Sequence, residues 1–109
     1  MEAGMFGRLV TIKLKVNSAG ELARINRTTI VPLLHAQKGL RGESVYIAPW
    51  GSEAIAKSWW DTKEDAEAYD LTCYPRIMMA LAPVFDGKPT VETFEFVGSA
   101  FSQAMAKAA

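Results

Sequence analysis

Residues 56–70 read AKSWWDTKEDAEAYD, and the change of rhythm inside this stretch decides how the chain folds. Up to Trp60 the residues suit a strand, whereas the acidic, alanine-rich run after Asp61 has the composition of a helix. Thr62 is placed to cap that helix, with Glu64 and Asp65 at the positive end of its dipole and Ala66, Tyr69 and Cys73 on one face. Neighbouring strand side chains point to opposite faces of a sheet, so Trp59 and Trp60 face apart and each requires its own cover.

The segments on either side supply the partners. RLVTIKLKV (8–16) alternates as a first strand, with Val10, Ile12, Leu14 and Val16 on one face and Leu9, Thr11, Lys13 and Lys15 on the other. After Asn17 and Ser18, apolar residues recur at helical spacing through Leu22, Ile25, Thr29 and Leu33, with Ile30 and Leu34 widening the stripe. This predicts a helix to about Lys38, stopped by Gly39 and kinked by Pro32. ESVYIAPW (43–50) and EAIAKSWW (53–60) flank a reversal at Pro49 and Gly51 and predict a hairpin. Pro75 suits the first turn of a further helical piece carrying Ile77, Met78, Leu81 and Phe85, ended by DGKP (86–89). TVETFEFV (90–97) alternates as a last strand, and residues 98–109 form an alanine-rich tail, either a short helix or mobile.

The order is therefore β-α-β-β-α-β, an α+β ferredoxin-like arrangement of four antiparallel strands within a single domain over residues 1–97. Two helices cover one sheet face, yet both faces carry apolar bulk. A homodimer whose sheets pack face to face, giving a dimeric α+β barrel, is the expected solution.

Composition narrows the function classes. The chain has 109 residues, half of them apolar, and its 12 basic and 12 acidic residues cancel. Without a basic run there is no electrostatic footprint for nucleic acid, and anionic membranes are disfavoured for the same reason. No apolar run approaches the roughly 20 residues that span a bilayer. With one histidine and one cysteine, a structural zinc site and an internal disulfide are not expected, and without a cleavable leader pattern the expected location is the cytoplasm.

SWWDTKEDAEAY (58–69), preceded by IVPLLHAQKGLRG (30–42) and followed by the TVETFEFV ending, resembles the antibiotic biosynthesis monooxygenase family of dimeric α+β barrels over about residues 6–97. The resemblance implies the ferredoxin-like fold, a homodimer, and either oxygenation of a phenolic or quinol-like substrate without a cofactor or, alternatively, a small-molecule-binding module without catalysis. The haem-degrading branch of that family uses a first-strand asparagine, a helical tryptophan and a later histidine. Those positions fall near Gly7 and on Tyr69 and Met79 of this chain, so haem degradation is not expected.

The candidate site residues each carry two readings. Trp59 and Trp60 line an aromatic pocket or pack as large strand aromatics. Tyr69 faces the sheet, where its hydroxyl can touch a ligand. His35 has a side chain suited to taking a phenolic proton but points away from the apolar stripe, the position of a surface histidine. Arg76 either holds a phenolate or carboxylate or is solvated, and Met78 forms a pliable wall. Cys73 reads as a small core residue. Glu92 and Glu95 have opposite orientations, so a face-to-face dimer covers at least one of them, which then either acts as a base or pairs with Lys13 or Lys15.

Overall fold

The computed structural model describes residues 5–97. Strand β1 (Phe6–Leu14) leads to α1 (Ala19–Ile25), a π-helical segment (Asn26–Ile30) and α2 (Val31–His35), which form one helical arm. The hairpin β2 (Leu40–Ile47) and β3 (Glu53–Trp60) comes next, then α3 (Lys63–Thr72), α4 (Tyr74–Leu81) and β4 (Phe85–Glu95). The sheet is antiparallel in the order β2-β3-β1-β4, which is the ferredoxin-like topology expected. The expected tail lies outside the described residues.

Several element boundaries differ from the sequence expectation, among them the end of α4 at Leu81, so that Phe85, expected on its stripe, opens β4. β1 starts at Phe6 and ends at Leu14, leaving Val16 exposed. β2 is shifted towards the N-terminus, so Trp50 projects from the turn, 70% exposed. β4 absorbs the DGKP run: its register against β1 jumps between Thr11 and Lys13, and Gly87, at φ 71°, lies in the irregularity with Pro89, which has no N–H to leave unpaired.

The helical arm departs from a uniform helix for a physical reason. Pro32 clashes with a carbonyl one turn back and donates nothing to it. The chain widens just before it, where Val31 N–H donates to the Asn26 carbonyl five residues back. That extra residue rotates the remainder of the arm. The buried stripe therefore runs Leu22, Ile25, Ile30 and Leu34, with Thr29 and Leu33 only partly covered.

The core lies between these helices and one sheet face, with Val10, Ile12 and Leu14 of β1 against Leu22, Ile25, Ala66, Cys73, Ile77 and Leu81. Trp60 belongs to it and is fully buried. Trp59, its neighbour, lies on the opposite face in the row Trp59, Gly7, Phe94. Gly7 is required there, since a Cβ would sit 2.6 Å from the Phe94 ring.

Thr62 caps α3 as expected: it is extended, and its Oγ1 accepts from Asp65 N–H at 3.0 Å. Thr62→Ala is expected to destabilise the protein by about 1 kcal/mol in urea unfolding. An unchanged midpoint would remove the cap from the stability of α3.

Candidate functional site

Apart from the exposed Glu95 near the end of β4, the helix-facing side of the sheet is apolar except along one cross-strand row. Glu43 of β2 pairs with Ser58 of β3, Ser58 with Arg8 of β1, and Arg8 with Thr93 of β4. Directly opposed residues share a face, so these four polar side chains form a line across the sheet. The next row, Val45, Ala56, Val10 and Val91, is apolar. A polar row under helices is costly unless its members are paired or used.

Arg8 is paired in an unusual way. Its side chain is 4% exposed, and its Nη2 donates to Asp70 Oδ1 on α3. The guanidinium carbon lies 4.3 Å from the centre of the Tyr74 ring and 5.2 Å from that of Tyr69, so two aromatic faces supply further negative potential. Tyr69 in turn packs on Trp60 with ring centres 4.9 Å apart. Burial pushes the Tyr69 hydroxyl far above its ordinary range, with the Arg8 charge opposing the shift. Tyr69 therefore stays protonated at physiological pH and does not accept a proton. Burial raises Tyr74 too, again against Arg8.

Above the row lies a cavity lined by Arg8, Ser58 and Glu43, by Asn26 from the π-helical segment, by Tyr69, Tyr74 and Met78, and by the aliphatic core. Its non-atom space is about 600 Å³ counting the open mouth, and about 60 Å³ accepts the centre of a water molecule. That smaller figure is short of the roughly 150 Å³ of an engineered cavity that holds benzene. A ring enters only if a wall yields, and Met78, half-buried with three rotatable bonds, is the adaptable part.

Among the described residues, the buried side-chain polar atoms without a protein partner are Asn26 Oδ1, Glu43 Oε2 and Tyr74 Oη, and all three residues line this one cavity. Arg8 lies against the Tyr74 ring and offers the hydroxyl positive charge and N–H donors, which leaves its O–H without an acceptor. Each such atom costs about 1–3 kcal/mol when nothing satisfies it. Their convergence marks a place built for polar contact with something else. Burial raises the Glu43 carboxyl above its ordinary range, opposed by the charge of His35.

The structure brings together only some of the residues singled out from sequence. Tyr69 and Met78 line the cavity. Trp60 stands behind Tyr69 in the core, its Nε1 donating to Ser58 Oγ at 3.0 Å, and Trp59 faces the other side of the sheet. Arg76 is exposed, and so is His35, whose charge reaches the cavity only through Glu43. Cys73 is buried, its thiol pushed up by burial. Glu92 and Glu95 are both exposed. Gly7 points away from the cavity and Met79 is 77% exposed, so neither haem-branch position is part of it. Sequence reasoning missed Arg8, Glu43, Asn26 and Tyr74. Arg8 and Glu43 had a readable signal, since each sits at an inward position of an alternating strand.

Among the described residues no group of three or more His, Cys, Asp or Glu side chains is placed to hold a metal ion, and no helix is long and apolar enough to cross a membrane.

No family model and no curated protein matches the chain. Solved structures do. A monooxygenase from the gene ActVA-Orf6 of Streptomyces coelicolor, in complex with nanaomycin D, superposes with a TM-score of 0.75 at 14% identity, over 90% of this chain and 91% of that one. A provisionally named antibiotic biosynthesis monooxygenase from Caulobacter crescentus gives 0.73 at 16% identity, over 89% and 93%. One of the same description from Nitrosomonas europaea gives 0.73 at 11%, over 89% and 94%. At these identities the likeness is one of fold: the chain has the ferredoxin-like architecture of these monooxygenase structures.

The buried carboxyl makes a pH-dependent prediction. A raised acid contributes stability that is fully present below its unfolded value, near 4.5, and is lost as pH rises through the folded value. Glu43→Gln is therefore expected to raise the melting temperature at pH 7 and to have little effect at pH 4. A gain that is equal at both pH values would refute the burial penalty.

Proposed function

We propose that the chain is a homodimeric oxygenase of small phenolic or quinol-like aromatics, with Glu43 as proton acceptor and no resident cofactor. The observation that carries the reading is the cavity in which every unpartnered buried polar side-chain atom of the described residues is found. A carboxylate in an apolar wall, with its pKa raised by burial, suits removal of a phenolic proton. His35 and Tyr69, the candidates from sequence, fit that task less well: one is outside the cavity and the other holds its own proton.

The chemistry balances without a metal or flavin. Glu43 takes the hydroxyl proton, and the phenolate passes two electrons to dioxygen, which adds at a ring carbon and is protonated to a hydroperoxide. Loss of that carbon's hydrogen as a proton and cleavage of the O–O bond give a quinone and water. The protein contributes orientation and exclusion of water.

A second reading has its own observation. The water-accessible volume of about 60 Å³ is small for an aromatic ring, which favours a binding module that takes a smaller ligand and does no chemistry. Incubation with simple hydroquinones and naphthols under oxygen separates the two. Oxygen consumption that exceeds autoxidation, continues with chelator present and is lost in Glu43→Gln is expected for the oxygenase. No consumption despite measurable binding would leave the module.

The homodimer rests on the uncovered sheet face, where Trp59, Leu9 and Ile55 are only partly buried, Phe94 is 44% exposed and Tyr46 is 51% exposed. Light scattering is expected to give twice the 11.9 kDa chain mass, and Trp59→Glu to abolish the pairing because it puts a charge in the interface. A monomer at micromolar concentration would overturn it.

A further inference from the structure

The reading of the cavity as a phenol site leaves two of its polar groups without a task. Arg8 and Tyr74 stand at the β1 and α4 side, whereas Glu43 stands on β2, two strands away in the same row, roughly 10 Å at the backbone. Only donors face the cavity from the first group: Tyr74 Oη has no acceptor, and the Arg8 guanidinium has five N–H bonds, with one nitrogen committed to Asp70. From the other side Glu43 Oε2 and Asn26 Oδ1 present acceptors. The two ends therefore ask opposite things of a ligand.

Resting on that reading, we propose that the ligand is a phenol carrying a neutral carbonyl oxygen across the ring from its acidic hydroxyl, with the carbonyl held by Tyr74 and Arg8 and the hydroxyl by Glu43. Tyr74 and Arg8 then determine specificity. The charge count selects a neutral carbonyl over a carboxylate. Arg8 is already balanced by Asp70, Glu43 adds one negative charge when ionised, and Lys57, although it lines part of the cavity, carries its ammonium over the Tyr46 ring on the opposite sheet face, 5.5 Å from its centre. A carboxylate would enter a low-dielectric site whose cation is already paired. A carbonyl asks only for a hydrogen bond, and it satisfies the donor that the fold leaves unpaired.

A carbonyl conjugated through the ring also acidifies the hydroxyl and takes up phenolate charge. Donors placed at that oxygen stabilise the charge that develops when Glu43 removes the proton. The two ends of the row act on one reaction from opposite edges of the ring.

The test is calorimetric binding of 4-hydroxyacetophenone, phenol and 4-hydroxybenzoate to the full chain at pH 7. 4-Hydroxyacetophenone is expected to bind about tenfold more tightly than either of the others, the difference that one good hydrogen bond supplies. Tyr74→Phe removes the unpaired hydroxyl and is expected to keep or raise the melting temperature, so it tests the idea without a folding defect. In that variant 4-hydroxyacetophenone should weaken about tenfold and phenol should be unchanged. Phenol or 4-hydroxybenzoate binding as tightly as the ketone, or Tyr74→Phe weakening all three equally, would overturn the carbonyl assignment while leaving the phenol site intact. Failure of all three to bind would overturn both.

Discussion

A full positive charge is buried on the central strand of this protein, and the second half of the chain is arranged to tolerate it. Arg8 lies on the helix-facing side of β1, where its neighbours in the strand are Val10 and Ile12. It is held by one carboxylate on α3 and by two tyrosine rings, one on α3 and one at the start of α4. The pair is asymmetric. Asp70 is 51% exposed and keeps part of its hydration, whereas Arg8 is 4% exposed and has lost nearly all of its own. The cation therefore carries most of the desolvation cost, and it is the partner that needs the other. The rings of Tyr69 and Tyr74 account for the remainder, and their positions fix how α3 and α4 dock on the sheet.

That arrangement shapes the cavity. Once Tyr69 is set between Arg8 and Trp60, and Tyr74 under the guanidinium, neither ring can fill the space towards β2. The helical arm walls this space without filling it: Leu22, Ile30 and Leu34 line it together with Asn26, the one polar side chain the arm contributes. The three polar atoms without a protein partner are left to hydrogen-bond with whatever occupies that space.

The two sheet faces divide the work. One is covered by helices over β1, β2 and β3 and holds the polar row, while the other is a strip of Trp59, Gly7 and Phe94 with Leu9 and Ile55. The absence of a side chain at Gly7 lets the Phe94 ring lie down on β1, which flattens that face. Adjacent tryptophans on β3 thus serve different surfaces because of the two-residue period of a strand.

Patterns with a local cause were legible in the residues themselves. The opposite orientation of Trp59 and Trp60 comes from strand alternation, and the α3 start from a cap that needs only Thr62 and the backbone three residues on. The antiparallel β-α-β-β-α-β order was readable from the succession of periods, and so was the buried face of α3 and α4. The polar row was beyond that reach. Arg8, Ser58 and Glu43 are up to 50 positions apart, and only the register of three strands puts them side by side. The stripe of the helical arm was legible as far as Ile25, after which its centre moves from Thr29 and Leu33 to Ile30 and Leu34, the residues expected only to widen it, because an extra residue in one turn rotates everything after it. Periodicity along the chain determined which segments form and which face is apolar. Tertiary structure alone decided which polar residues are buried together, because that depends on strand register and on the partners available to a charge once water has been removed.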